Sequence, residues 1–117
     1  MEPWSIDWAG RFDEQTIDSE ALKGNALGDP HERPLWVYLP PGYDTDQSRR
    51  YPTVYMIQGL TGQIDMWRSR AALRPNFPEL MDRAFASGDC PPAVVVFVDC
   101  WTRLGGSQSE PFDPSRW

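Results

Sequence analysis

The sequence predicts an α/β chain in which an antiparallel hairpin is followed by a parallel strand, helix, strand unit. Three observations lead there. Thr53 to Gln58 and Ala93 to Val98 are near-continuous apolar runs, the pattern of strands buried by parallel-sheet neighbours. Between them Phe77, Leu80, Met81, Ala84 and Phe85 recur at helical spacing. Ahead of them, two β-prone stretches are separated by Gly24-Asn25 and Gly28-Asp29-Pro30, which is turn chemistry.

In chain order, residues 1–14 read as an irregular arm carrying Trp4, Trp8 and Phe12, with a strand expected near Gln15 to Leu22. Leu35 to Leu39 is the next strand, stopped by Pro40-Pro41-Gly42, because a double proline cannot continue a ladder. The spacing favours a hairpin with a loop wider than two residues. Asp44 to Arg50 is a charged loop, and Thr53 to Gln58 follows as a core strand expected to be buried on both faces. Asn76 to Gly88 is the helix: Asn76 is an N-cap, Glu79 completes a capping-box pattern, Pro78 is tolerated in the first turn and Gly88 stops it. Pro91-Pro92 leads into Ala93 to Val98, ending at Asp99. Such a unit crosses over right-handed and makes its two strands parallel. Thr102 to Trp117 reads as loop.

With 117 residues the chain supports one domain at most. Its net charge is −6 and its arginines are scattered, so no basic stripe exists for phosphates or anionic lipid. Neither nucleic acid nor a membrane is an expected partner. The first residues are acidic where a signal peptide needs positive charge, and Ala93 to Val98 is far too short to span a bilayer. The chain reads as soluble and cytoplasmic. Cys90 and Cys100 flank a predicted strand that would hold them about 20 Å apart, too far for a disulfide, so reduced thiols are expected. Neither belongs to a cluster able to hold zinc, and no cofactor is expected.

Three segments carry a family resemblance: Arg33-Pro34-Leu35-Trp36-Val37-Tyr38-Leu39-Pro40-Pro41-Gly42-Tyr43-Asp44, Tyr51-Pro52-Thr53-Val54-Tyr55-Met56-Ile57-Gln58-Gly59, and Asp99-Cys100-Trp101-Thr102-Arg103-Leu104-Gly105-Gly106-Ser107-Gln108. In this order and spacing they resemble the Putative esterase family of α/β-hydrolases, which includes enterochelin esterases, S-formylglutathione hydrolases and mycolyltransferases. The resemblance runs over residues 20–110 and implies that these residues form the first four strands, in the order 1-2-4-3, of a serine esterase acting on a small-molecule ester. That order would leave Thr53 to Gln58 as an unprotected edge through which the chain could self-associate. The family usually has His before the glycine that follows the third strand. Gln58 stands there, and Gln58-Gly59-Leu60-Thr61 is closer to the Ser-Gly-Leu-Thr form of the S-formylglutathione hydrolase branch.

Acyl transfer passes through a tetrahedral oxyanion that needs rigid backbone N–H donors. The resemblance implies that the backbone N–H of Leu60 is one such donor, that Gly59 permits the turn and that Thr61 and Gly62 shape the loop. An ordinary glycine turn after a core strand is the other reading of the same residues. Trp67 stands where the family often has an aromatic residue at the rim of the acyl pocket, or it packs. Gly105 and Gly106 are expected to carry a loop over the rim.

None of the eight serines lies in Gly-x-Ser-x-Gly. Ser107 comes nearest but lacks the trailing glycine and follows the wrong strand. His31 precedes every core strand and reads as a solvated turn residue. Asp99 reads as a loop anchor accepting backbone N–H bonds, and Cys100 lacks a neighbouring base. The expectation is therefore an N-terminal portion of an ester hydrolase with one oxyanion donor and no triad. The alternatives are an acyltransferase of the same family, a non-catalytic binding module using the aromatic arm, and an inactive truncated product.

Overall fold

A computed structural model describes residues 7–59, 62–103 and 106–107. Its centre is a four-stranded mixed sheet in the order β1-β2-β4-β3, formed by β1 (Arg11–Asp18), β2 (Glu32–Leu39), β3 (Thr53–Met56) and β4 (Val94–Val98). β1 and β2 are antiparallel, β2 and β4 are antiparallel, and β3 and β4 are parallel with Met56 opposite Phe97. One helix, α1 (Phe77–Ser87), lies between β3 and β4 in sequence. A short hairpin, β5 (Trp101–Thr102) with β6 (Gly106–Ser107), follows. The expected hairpin, crossover unit and strand order are all present.

Local chemistry accounts for the boundaries. The β1–β2 connection contains a 3-10 turn, Glu20–Leu22, and two glycines, Gly24 and Gly28, at φ 70° and 69°. β2 ends in a turn closed by Tyr43 N–H donating to Pro40 C=O at 3.1 Å, with Gly42 at φ 86° as the left-handed residue a type II turn requires. α1 starts at Asn76, whose side-chain oxygen accepts from Glu79 N–H at 3.0 Å, and ends at Gly88, in the left-handed conformation at φ 79°. The Glu79 carboxylate does not complete the box; it pairs with Arg70.

The core lies on one face of the sheet. Trp36 and Tyr38 of β2 and Val95 and Phe97 of β4 alternate inward to meet Ile64, and Trp8, Phe12, Met56, Trp67, Met81 and Phe85 pack around them. Phe97 is the hub: rings of Phe12, Trp67 and Phe77 approach it at centroid distances of 6.0, 5.8 and 6.3 Å.

Five expectations need correction. The strand placed near Gln15 to Leu22 begins at Arg11, so residues 11–14 belong to β1 rather than to an arm. They pair with Trp36 to Leu39, Asp13 opposite Val37 and Phe12 opposite Tyr38, and a mostly polar strand at a sheet edge leaves no apolar alternation to read. β3 ends at Met56 rather than Gln58. It is not buried on both faces, since Tyr55 is 64% exposed, because β4 covers only one of its edges. The inward face of the helix is shifted rather than lost: Met81 and Phe85 pack on the core as expected, but Pro78, Glu79 and Asp82 are buried beside them whereas Leu80 is 50% exposed. Finally, part of the tail read as loop forms the β5–β6 hairpin.

Asp82 explains the shifted face. Its two carboxylate oxygens accept from Ala9 N–H at 2.9 Å, Gly10 N–H at 2.8 Å and the Tyr38 hydroxyl at 2.8 Å. A carboxylate on the inner face is tolerable because three donors meet it. Gly10 allows the approach, since a Cβ there would lie 2.3 Å from the Leu39 carbonyl oxygen. Burial, and then the hydrogen bond to Asp82, raises the Tyr38 pKa far above that of a free phenol.

Candidate functional site

Parallel pairing of β3 and β4 brings their carboxyl ends to one edge of the sheet. Gln58, just past β3, is almost fully buried there. In the orientation that satisfies its neighbours, its amide N–H donates to Val98 C=O at 2.9 Å and its oxygen accepts from Cys100 N–H at 3.3 Å. The side chain thus continues, across the point where the ladder stops, the bonding that the two backbones no longer make. An amide suits this place because it supplies both a donor and an acceptor.

The chain then turns. Gly62 N–H donates to Gly59 C=O at 3.0 Å, closing a four-residue turn whose central pair, Leu60 and Thr61, lies outside the described residues. Gly62 is required by contact, since a Cβ there would lie 2.7 Å from Met66 Sδ and 3.0 Å from Gln58 Cβ. Gly59 differs: a Cβ there meets nothing within 4 Å, so this side of the turn faces open space. The 3-10 turn Ile64–Arg68 follows and seats Trp67 against Phe77 at 5.5 Å and against Phe97. Trp67 is therefore a packing residue of the layer below the turn.

Opposite Gln58, the strand after β4 is pinned by charges that sequence reasoning missed. Arg33 of β2, itself buried, donates from Nη1 to Trp101 C=O at 2.6 Å and to Asp99 Oδ2 at 3.3 Å, and from Nε to Pro30 C=O at 2.8 Å. Asp99 also accepts from Trp101 N–H at 3.1 Å, so it anchors the loop as expected. Asp29, buried in the β1–β2 connection, accepts from Arg103 N–H at 2.9 Å, while Asn25 holds that connection through Leu22 C=O, Asp29 C=O and Asp29 N–H. The available signal was placement: Arg33 and Asp99 stand at strand ends that antiparallel pairing of Leu35 with Val98 brings together.

The other expected site residues divide. Gly106 pairs with Thr102 and Ser107 with Trp101 in the β5–β6 hairpin, so Ser107 sits in a strand rather than on an elbow before a helix. Gly105 lies outside the described residues. His31 closes the β1–β2 connection, its C=O accepting from Ser19 N–H at 2.8 Å and its Nδ1 lying 2.7 Å from Asp18 Oδ1. Hydrogen bonds from His31 and Lys23 hold the Asp18 carboxyl below its usual range. Among the described residues no group of His, Cys, Asp and Glu could hold a metal ion, and no helix is long and apolar enough to cross a membrane.

Comparison with solved structures supports the arrangement of strands. A ferulic acid esterase matches with a TM-score of 0.61 at 20% identity, covering 84% of this chain and 34% of the other. A CE1 ferulic acid esterase from Anaeromyces mucronatus, solved in complex with ferulic acid, matches with a TM-score of 0.53 at 18% identity, covering 99% of this chain and 38% of the other. The chain thus spans little more than a third of the length of either structure, and at these identities the likeness is one of fold. No curated protein matches. The family described as Putative esterase matches residues 25–108, which takes in β2, β3, α1, β4, both edges of the Gln58 clamp and the β5–β6 hairpin, and the chain belongs to that family.

Proposed function

We infer that this chain contributes the oxyanion-binding loop of a serine carboxylic-ester hydrolase with the α/β-hydrolase architecture. The observation that carries the reading is the Gly59–Gly62 turn at the carboxyl end of a parallel strand, braced by Gln58 against β4, in a member of an esterase family. Ligands of open α/β sheets bind beyond those strand ends. The backbone N–H of Leu60 is the donor, and the open side of Gly59 leaves room for the reacting carbonyl.

The chemistry requires a donor that is in place before the reaction begins. A serine attacks the ester carbonyl, a histidine takes and returns the proton, and the Leu60 N–H strengthens its hydrogen bond as charge gathers on oxygen. These 117 residues hold no Gly-x-Ser-x-Gly, so the serine and its partners come from polypeptide outside them. A small-molecule ester is the substrate. Esters of aromatic acids are the first to test, because both structural neighbours are described as ferulic acid esterases.

The chain by itself should not turn over 4-nitrophenyl acetate above the buffer rate, since it has neither nucleophile nor base. Activity that co-purifies with it and disappears in Ser107→Ala would place the nucleophile in the β5–β6 hairpin and refute this division of labour.

A further inference from the structure

We propose that the cavity between residues 70–75 and the first two turns of α1 binds a small organic carboxylate with an apolar body, held by Arg74 and Arg83. The cavity measures about 600 Å³, within the range of small-ligand sites. The proposal rests on these residues alone and is independent of the ester chemistry above.

Charge is the first argument. The chain carries a net −6, yet this cavity is lined by three arginines, Arg70, Arg74 and Arg83, and one carboxylate, Glu79. Arg70 is committed to Glu79, which is almost fully buried. Of the other arginines, Arg11 pairs with Asp13 and Asp44, Arg33 with Asp99, Arg68 with Glu14 and Arg103 with Asp29, while Arg49 and Arg50 form no ion pair among the described residues but share their surface with Asp44 and Asp46. Among the described residues no carboxylate pairs with Arg74 or Arg83, so the wall keeps two uncompensated positive charges. Arg74 stands just before α1 and Arg83 in its second turn, so both line the same wall.

Backbone strain is the second. Leu73 is the one non-glycine residue at positive φ, 62°, among the described residues, and its side chain is fully exposed. It is held in a tight turn that bridges Ala71 and Arg74, with Arg74 N–H donating to Ala71 C=O at 3.2 Å. A leucine gains nothing locally from the left-handed region, and such strain gathers at ligand clamps. The turn puts Leu73, Ala71, Ala72 and Pro75 on the wall beside Arg74.

These features select the ligand. A planar guanidinium matches a carboxylate in two parallel hydrogen bonds. A guanidinium pairs with phosphate as well as with carboxylate, but only an organic acid also covers the apolar lining.

Calorimetric titration of the full chain at low salt with 3-phenylpropionate, 3-phenylpropanol and inorganic phosphate tests this. The expected result is a Kd for 3-phenylpropionate of about 0.1–1 mM, with the alcohol and phosphate each weaker by about tenfold or more. Arg74→Gln with Arg83→Gln should weaken 3-phenylpropionate by about tenfold or more and leave Tm unchanged, both side chains being exposed. No binding of 3-phenylpropionate, equal binding of the alcohol, phosphate binding as tight as the organic acid, or an unaffected double variant would each overturn the proposal.

Discussion

Gln58 shows how one side chain can set the position of a loop. It bonds to both Val98 and Cys100, so Gln58→Leu keeps the size but leaves a buried carbonyl and a buried N–H without partners. The expected loss of stability is about 1–3 kcal/mol for each group left unpaired, measured by urea unfolding, together with faster hydrogen exchange at the Cys100 amide. An unchanged unfolding midpoint would mean that water replaces the amide. Tyr38 offers a second test. Its folded-state pKa is raised above the value of about 10 expected when unfolded, so its contribution is fully present below that pH and is lost as pH rises beyond it. Stability should therefore fall above pH 10 or so, and Tyr38→Phe should flatten that fall while lowering stability at neutral pH, because Asp82 loses a donor. A decline of the same slope in Tyr38→Phe would assign it to another group. Neither residue's role was legible from sequence. Gln58 stood out as a departure from the family's His, but its two bonding partners lie 40 and 42 residues away in the chain and only the β3–β4 pairing reveals them.

Elements were legible where apolar period and cap chemistry agreed. Asn76, Pro78 and Gly88 bounded α1 because each acts within its own turn of chain, Asn76 through its side chain and the other two through their backbone angles. The helix's orientation was not legible, because Asp82 turns inward only when Ala9, Gly10 and Tyr38 converge on it from other elements. β1 was misplaced for the same reason, its pairing with β2 being decided by the partner strand rather than by its own pattern. β3 carries the consequence for association. It has one hydrogen-bonded neighbour, no charge and no proline within Thr53–Met56, and Val54, Tyr55 and Ile57 are exposed around it. Such an edge is a template for another strand. We expect copies of the chain to associate through it, seen as light-scattering mass that rises with concentration and as protection of the β3 amides that rises with it. A monomer at all concentrations with strongly protected β3 amides would show the edge to be covered from within the chain.

Across the whole molecule, the carboxyl edge of the sheet is braced from three sides. Gln58 ties β3 to β4, Arg33 and Asp99 tie β2 to the strand that follows β4, and Asp29 ties the β1–β2 connection to Arg103. Opposite charges in these ties are partly desolvated and hydrogen-bonded to backbone, which favours one fixed geometry over several. A fixed edge is what an oxyanion donor requires, because its contribution depends on being in place before charge develops. Family membership and strand order could be read from three short motifs; the bracing could not, since it is built from residues far apart in sequence. The most direct test compares Leu60→Pro with Leu60→Ala in a protein that contains these residues together with a Gly-x-Ser-x-Gly elbow, using kcat for 4-nitrophenyl acetate and circular dichroism to verify folding. Proline removes the N–H and alanine keeps it, so kcat should fall by about 10²–10³-fold in Leu60→Pro and by far less in Leu60→Ala. A folded Leu60→Pro enzyme with wild-type kcat would contradict the assignment of this loop.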